Sequence, residues 1–125
     1  MKMVWETHKI LDENISVNPT AVRVPVLVGH AESIYIETEK EIDIELAKNC
    51  LNEFAGISVI DDVQEVDFPT SFEHGHGTDD VYVGRIRKGL SKNNSLNLWV
   101  VADNVRKGAA LNSIQIAENL VGSEM

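Results

Sequence analysis

A single cysteine, Cys50, leaves no internal disulfide to be made, so the fold must rest on packing alone. Positive charge is short as well: 11 Lys and Arg stand against 20 Asp and Glu, a net charge of −9. That field repels polyanions and argues against a nucleic-acid partner, although a local basic pocket can still take a small phosphate. No apolar run approaches the roughly 20 residues of a membrane-spanning helix, so no membrane partner is expected. The opening MKMVWETHK lacks the apolar stretch of a secretory signal, and with one cysteine this points to a reducing, cytoplasmic setting. Nor is there a glycine-rich strand-to-helix turn of the dinucleotide or P-loop kind, so the chain carries no nucleotide-binding fold of its own. What is present, 43% hydrophobic and 25% charged residues over a length of 125, suits one globular domain spanning 1–125.

Residues 1–14 have helical composition, with Val4, His8 and Leu11 on one face and no capping residue. Val22, Val24, Val26 and Val28 alternate with Ala21, Arg23, Pro25 and Leu27, which predicts a strand with one valine face. The alternation resumes over Ser33 to Thr38, as a second strand or as the continuation of a bent one. Asp43 caps a predicted helix stepping through Ile44, Ala47, Leu51 and Phe54, and Gly56 stands where it should stop. Ile57 to Ile60 reads as a short strand, 61–80 as a long loop, Val81 to Ile86 and Leu96 to Ala102 as strands. A last helix, capped by Asp103, should run to about Leu120 with Ala110, Leu111, Ile114, Ala117 and Leu120 inward. Most links are too short for a parallel crossover, so the expected class is α+β: a mixed, largely antiparallel sheet with helices packed on one face.

Chemistry can be sought at few places. Arg23 is either an exposed or ion-paired strand residue or, being costly to bury without an anion, a bidentate carboxylate ligand. His30 follows Gly29 where the alternation breaks, and histidine titrates near neutrality, which suits proton transfer. Seven residues of straight strand span roughly 23 Å, so the two can share one small substrate only if the chain turns at Pro25, Gly29 or both. Arg106 and Lys107 sit in the first turn of the last helix, where positive charge opposes the dipole. They mark an anion site or pair with some of the acids. His74 and His76 on a glycine-flanked loop supply no complete ligand set, and no metal is expected. Cys50, with no histidine or cation pattern around it, does not read as a nucleophile.

Taken together, Met1 to Leu11, Val22-Arg23-Val24-Pro25-Val26 through Gly29-His30, Val81 to Arg87, and Leu98 to Asn112 resemble the carboxy-terminal part of bacterial aspartate-semialdehyde dehydrogenases. The resemblance covers essentially the whole chain. It implies a part of an enzyme that reduces L-aspartyl-4-phosphate to L-aspartate 4-semialdehyde with NADPH, through a cysteine thioester, on the route to lysine, threonine and methionine. It also implies roles: Arg23 for the substrate carboxylate, His30 as acid and base, Lys2 for phosphate, and Asn104 near the nicotinamide cofactor. The family's Rossmann domain, its catalytic cysteine and the acid three residues before the lysine matching Lys2 all precede this chain's first residue. The resemblance therefore implies a substrate-binding and dimerisation region, homodimeric, silent alone and without tight NADP binding of its own. A non-catalytic dimerisation or interaction module is the alternative, and the acyl-phosphate reductases acting on N-acetylglutamyl phosphate are a more distant likeness.

Overall fold

Along Ser95–Ala102 the apolar residues leave no polar side of the pleat, the pattern of a strand covered on both faces. The computed structural model, which describes residues 1–62, 64–65 and 67–122, places this strand inside a four-stranded sheet. Numbered in chain order, the strands are β1 (His30–Glu37), β2 (Ile57–Val59), β3 (Val81–Lys88) and β4 (Ser95–Ala102), arranged β1-β4-β3-β2. β1 and β3 run antiparallel to β4, and β2 runs parallel to β3. The helices are α1 (Lys2–Ile10), α2 (Ile44–Glu53) and α3 (Leu111–Gly122). The class is α+β with a mixed, mainly antiparallel sheet, as the element spacing predicts.

One face of the sheet carries the core: Val83, Ile86, Leu96 and Leu98, with Ile34, Ile57, Val59, Val81 and Val100 packed around them. α2 covers this face through Ile44 and Leu51. It begins where Asp43 accepts the Leu46 N–H at 3.0 Å and ends before Gly56, whose φ of +82° suits a residue without a Cβ. On the opposite face the long 60–80 connection folds back over the sheet. Trp99 Nε1 donates to the Pro69 carbonyl at 2.9 Å, and Val101 is fully buried beneath Gly75. The loop expected over 61–80 thus acts as a lid on the second face, with a one-turn π-helical segment at Ser71–Gly75 (residues 63 and 66 lie outside the described residues).

β3 holds a feature the alternation hints at only in hindsight. Val81 and Val83 face the core, and strict period two would send Arg85 there next. A bulge between Gly84 and Arg87, with Arg85 at φ +55°, inserts one residue so that Ile86 is buried instead.

α2 is tied to the lid by Lys48, whose Nζ lies 2.8 Å from the nearly buried Asp61 carboxylate. That hydrogen bond holds the Lys48 ammonium above the usual lysine range. Lys48→Met keeps the apolar stem and strands the acid without a counter-ion. It should cost about 2 kcal/mol, seen as a lower urea midpoint at unchanged m-value and mostly recovered by adding Asp61→Asn. An unchanged midpoint would show the pair to be idle.

Three segments do not pack as their patterns predict. The strand expected over 21–28 does not form: the stretch is irregular, and Val22, Val24, Val26 and Leu27 are exposed. An alternating face makes a strand only where a partner strand and a covering layer exist. Here Pro25 lacks an N–H, and β1 begins at His30. The inward face predicted for the last helix is also open. Ile114 and Leu120 are exposed, and only Leu111 of the five is half-buried. α1 leaves Trp5, Ile10 and Leu11 in solvent. Amphipathic patterns declare that something covers a face, not that the same domain does.

Candidate functional site

The antiparallel register of β1 on β4 sets His30 opposite Ala102, so the first residue of one strand and the last of its neighbour meet at one end of the sheet. Asp103 and Asn104 leave β4 at that point. The lid loop arrives there too: Gly29, at φ +78°, passes so near Ser71 and the Ala102 carbonyl that a Cβ would stand 3.0 Å from Ser71 Cβ. The Ser71 hydroxyl donates to the His30 carbonyl at 3.5 Å. Three chain-distant stretches, 29–30, 71–79 and 102–106, converge on this corner.

The His30 imidazole is exposed and makes no hydrogen bond or ion pair among the described residues; only its backbone is engaged. Asn104 is half-buried, also with no side-chain partner among them. Arg23 lies exposed upstream on the irregular segment and is likewise unpaired. Between it and His30 the chain bends twice, at a tight turn about Pro25 where the Val26 N–H reaches the Val24 carbonyl at 2.8 Å, and at Gly29. The straight-strand separation of the two residues is therefore not imposed by the backbone. Lys2 stands at the start of α1, highly exposed and 3.5 Å from Glu6. The structure brings His30 and Asn104 to one corner and leaves Arg23 and Lys2 on outlying segments.

Of the two readings left open for Arg106 and Lys107, their partners favour pairing within the chain, with an acid for Arg106 and an amide for Lys107. Arg106 donates through Nε to Asp79 Oδ1 at 2.6 Å, and Lys107 donates to Gln115 Oε1 at 2.8 Å. The N–H groups of Val105 and Arg106 are filled by Asp103 Oδ1 at 2.9 and 3.2 Å. The side chains of Arg106 and Lys107 are therefore both engaged within the chain.

Asp103, which sequence reasoning saw only as a helix cap, does more. It is 7% exposed, and its Oδ2 also accepts the Gly77 N–H at 2.9 Å, while His76 Nδ1 lies 3.9 Å away. The N–H groups of Gly77 and Arg106 hold its carboxyl below the ordinary carboxylate range. His74, by contrast, is structural: its Nδ1 accepts the Thr70 N–H at 3.1 Å and its ring leans on Tyr82. Among the described residues no group of three or more His, Cys, Asp or Glu is placed to hold a metal ion, and no helix is long and apolar enough to cross a membrane. Cys50 is exposed on α2 with no activating partner among those residues.

Two hollows, of about 470 and 340 Å³, are lined by Glu41, Asp43 and Lys88 and by Phe68, Arg85 and Trp99 respectively. Neither of these two hollows is lined by Lys2, Arg23, His30 or Asn104.

Residues 1–107 match the family model described as the dimerisation domain of semialdehyde dehydrogenase. An aspartate-semialdehyde dehydrogenase of Shewanella violacea is 56% identical over 122 residues, covering 97% of this chain and 36% of that protein. One from Legionella pneumophila is 51% identical over 121 residues, with 96% and 35% covered. A crystal structure of Vibrio cholerae aspartate semialdehyde dehydrogenase II, complexed with ASA, superposes with a TM-score of 0.91 at 51% identity, covering 99% of this chain and 36% of that one. The chain thus spans about 36% of the length of these relatives. With the family model covering most of its length and relatives above half identity, the chain belongs to the semialdehyde dehydrogenase dimerisation-domain family.

Proposed function

We propose that this chain is the substrate-binding and dimerisation part of a cytoplasmic, NADP-dependent aspartate-semialdehyde dehydrogenase, which converts L-aspartyl-4-phosphate to L-aspartate 4-semialdehyde in amino-acid biosynthesis. The observation that carries the reading is the His30 imidazole, exposed and unengaged among the described residues while its backbone is anchored to Ala102, beside Asn104. A ring held by its main chain and free at both nitrogens can take a proton from a thiol and return one to a leaving group. Arg23, a guanidinium without an acid partner among the described residues in a chain of net charge −9, is suited to the substrate carboxylate, and Lys2 to its phosphate. The nucleophilic cysteine and the cofactor domain belong, in this proposal, to the remainder of the enzyme.

The cofactor fit is limited. Asn104 offers a carboxamide that can meet the nicotinamide amide, but Arg106 and Lys107 are already bonded to Asp79 and Gln115. This corner therefore suits the nicotinamide end and leaves the cofactor's phosphates to other parts of the enzyme. NADPH supplies the hydride; this chain orients substrate and moves the proton. The exposed apolar faces of α1, α3 and the 22–27 segment give a homodimer twin and the cofactor half something to cover. A non-catalytic module would use the same faces but would need neither Arg23 nor His30.

Joining this chain to a family cofactor half separates the two readings. The assembly should turn over aspartyl phosphate, and Arg23→Lys should raise the substrate KM by about tenfold or more at near-normal melting temperature, because lysine keeps the charge but not the bidentate fork. Unchanged kinetics would remove Arg23 from the site, and an inactive assembly would favour the interaction module.

A further inference from the structure

Asp103 is among the few buried charged residues, and its two oxygens face different parts of the chain. Oδ1 takes the N–H groups of Val105 and Arg106, an ordinary cap of the turn that follows. Oδ2 reaches across 26 positions to the Gly77 N–H at 2.9 Å. No local turn requires that second bond. It fastens the end of the lid loop to the stretch carrying Asn104. The same loop is seated against the sheet end by Gly75, where a Cβ would come within 2.8 Å of Val101, and touches His30 through the Ser71 hydroxyl. His76 Nδ1 stands farther from the same oxygen, at 3.9 Å, and a further link, Arg106 to Asp79, lies on the surface with both side chains about half exposed. It is screened by solvent.

We propose that Asp103 is a positioning residue: by bridging Gly77 to the Val105–Arg106 turn, its carboxylate holds the lid loop, Asn104 and the backbone of His30 in one fixed arrangement at the sheet end. The inference rests on the functional reading above, in which His30 and Asn104 must address the same reacting centre. A carboxylate is needed because two acceptor oxygens serve N–H groups on opposite sides; a carboxamide has one acceptor, and its NH₂ would face an N–H.

The test has two arms. In the full chain, amide hydrogen exchange should accelerate at Gly77 by about tenfold or more in Asp103→Asn while the amides of Val83 and Val100, deep in the sheet, stay protected. In the assembled enzyme, the same variant should lower kcat by about tenfold and raise the KM for the nucleotide by about fivefold, with the KM for the semialdehyde within about twofold. A loss of folded protein alone would lower the apparent kcat but leave both KM values unchanged, so the split between the two KM values marks the positioning role. Asp103→Ser, whose hydroxyl can cap the turn but is too short to reach Gly77, guards against a folding defect and should give the same split. Asp79→Asn, which breaks only the surface link, should leave kcat and both KM values at the wild-type level. Faster exchange at Gly77 with unchanged kinetics would overturn the positioning role, and unaltered exchange would overturn the bridge itself. An inactive wild-type assembly would instead refute the functional reading, with the exchange arm still deciding the bridge.

Discussion

His30→Ala is expected to lower kcat of the assembled enzyme by roughly 100-fold or more, the usual worth of a positioned acid–base group. The fold has little stake in the ring. His30 contributes its backbone to the pairing with Ala102 and its carbonyl to the Ser71 hydroxyl, and alanine preserves both. The melting temperature should therefore move by less than about 2 °C, since an exposed side chain with no partner among the described residues carries little stability. The substrate KM should stay near the wild-type value if Arg23 holds the carboxylate as proposed. A kcat within about threefold of wild type would show that proton transfer is handled elsewhere and would leave the corner without its central residue.

Gly84→Ala should have the largest effect on stability. Gly84 lies in β3, between the lid and the sheet, where the lid presses closest. A Cβ there would overlap the Ile60 carbonyl oxygen and stand 2.5 Å from Pro69 Cδ, a backbone atom and a rigid ring that cannot swing aside. Ile60 is itself fixed by donating its N–H to the Val83 carbonyl at 2.8 Å, and Pro69 by accepting from Trp99. Relief requires moving β2's continuation or lifting the lid off Val101, so the substitution should cost about 3 kcal/mol and lower the melting temperature by roughly 10 °C. A scan of far-ultraviolet circular dichroism against temperature measures it. A shift under about 2 °C would mean that the lid is not clamped on the second face.

Much of the fold was legible in local pattern. The Asp43 cap, the Gly56 stop and the apolar runs of β3 and β4 each encode their element within ten residues, through capping, left-handed backbone and apolar burial. Of the candidate site, Arg23 and His30 stood out by residue chemistry, whereas Lys2 and Asn104 entered only through resemblance. Nothing in the spacing of Arg23, His30 and Asn104 says which of them meet, because that depends on the antiparallel register of β1 against β4, a pairing across about seventy positions.

Composition and short-range pattern by themselves determined the α+β class, most of the strands and helices, and the residue types available for chemistry. Tertiary structure alone decided three things. It placed His30 beside Asn104, since register is a non-local choice. It turned a periodless loop into a lid, because Gly75, Gly84 and Pro69 matter only when two distant backbones approach. It also left the valine stretch at 22–28 and the apolar face of α3 uncovered. An amphipathic pattern records that a face is to be buried, and the identity of what buries it is a property of the assembled contacts.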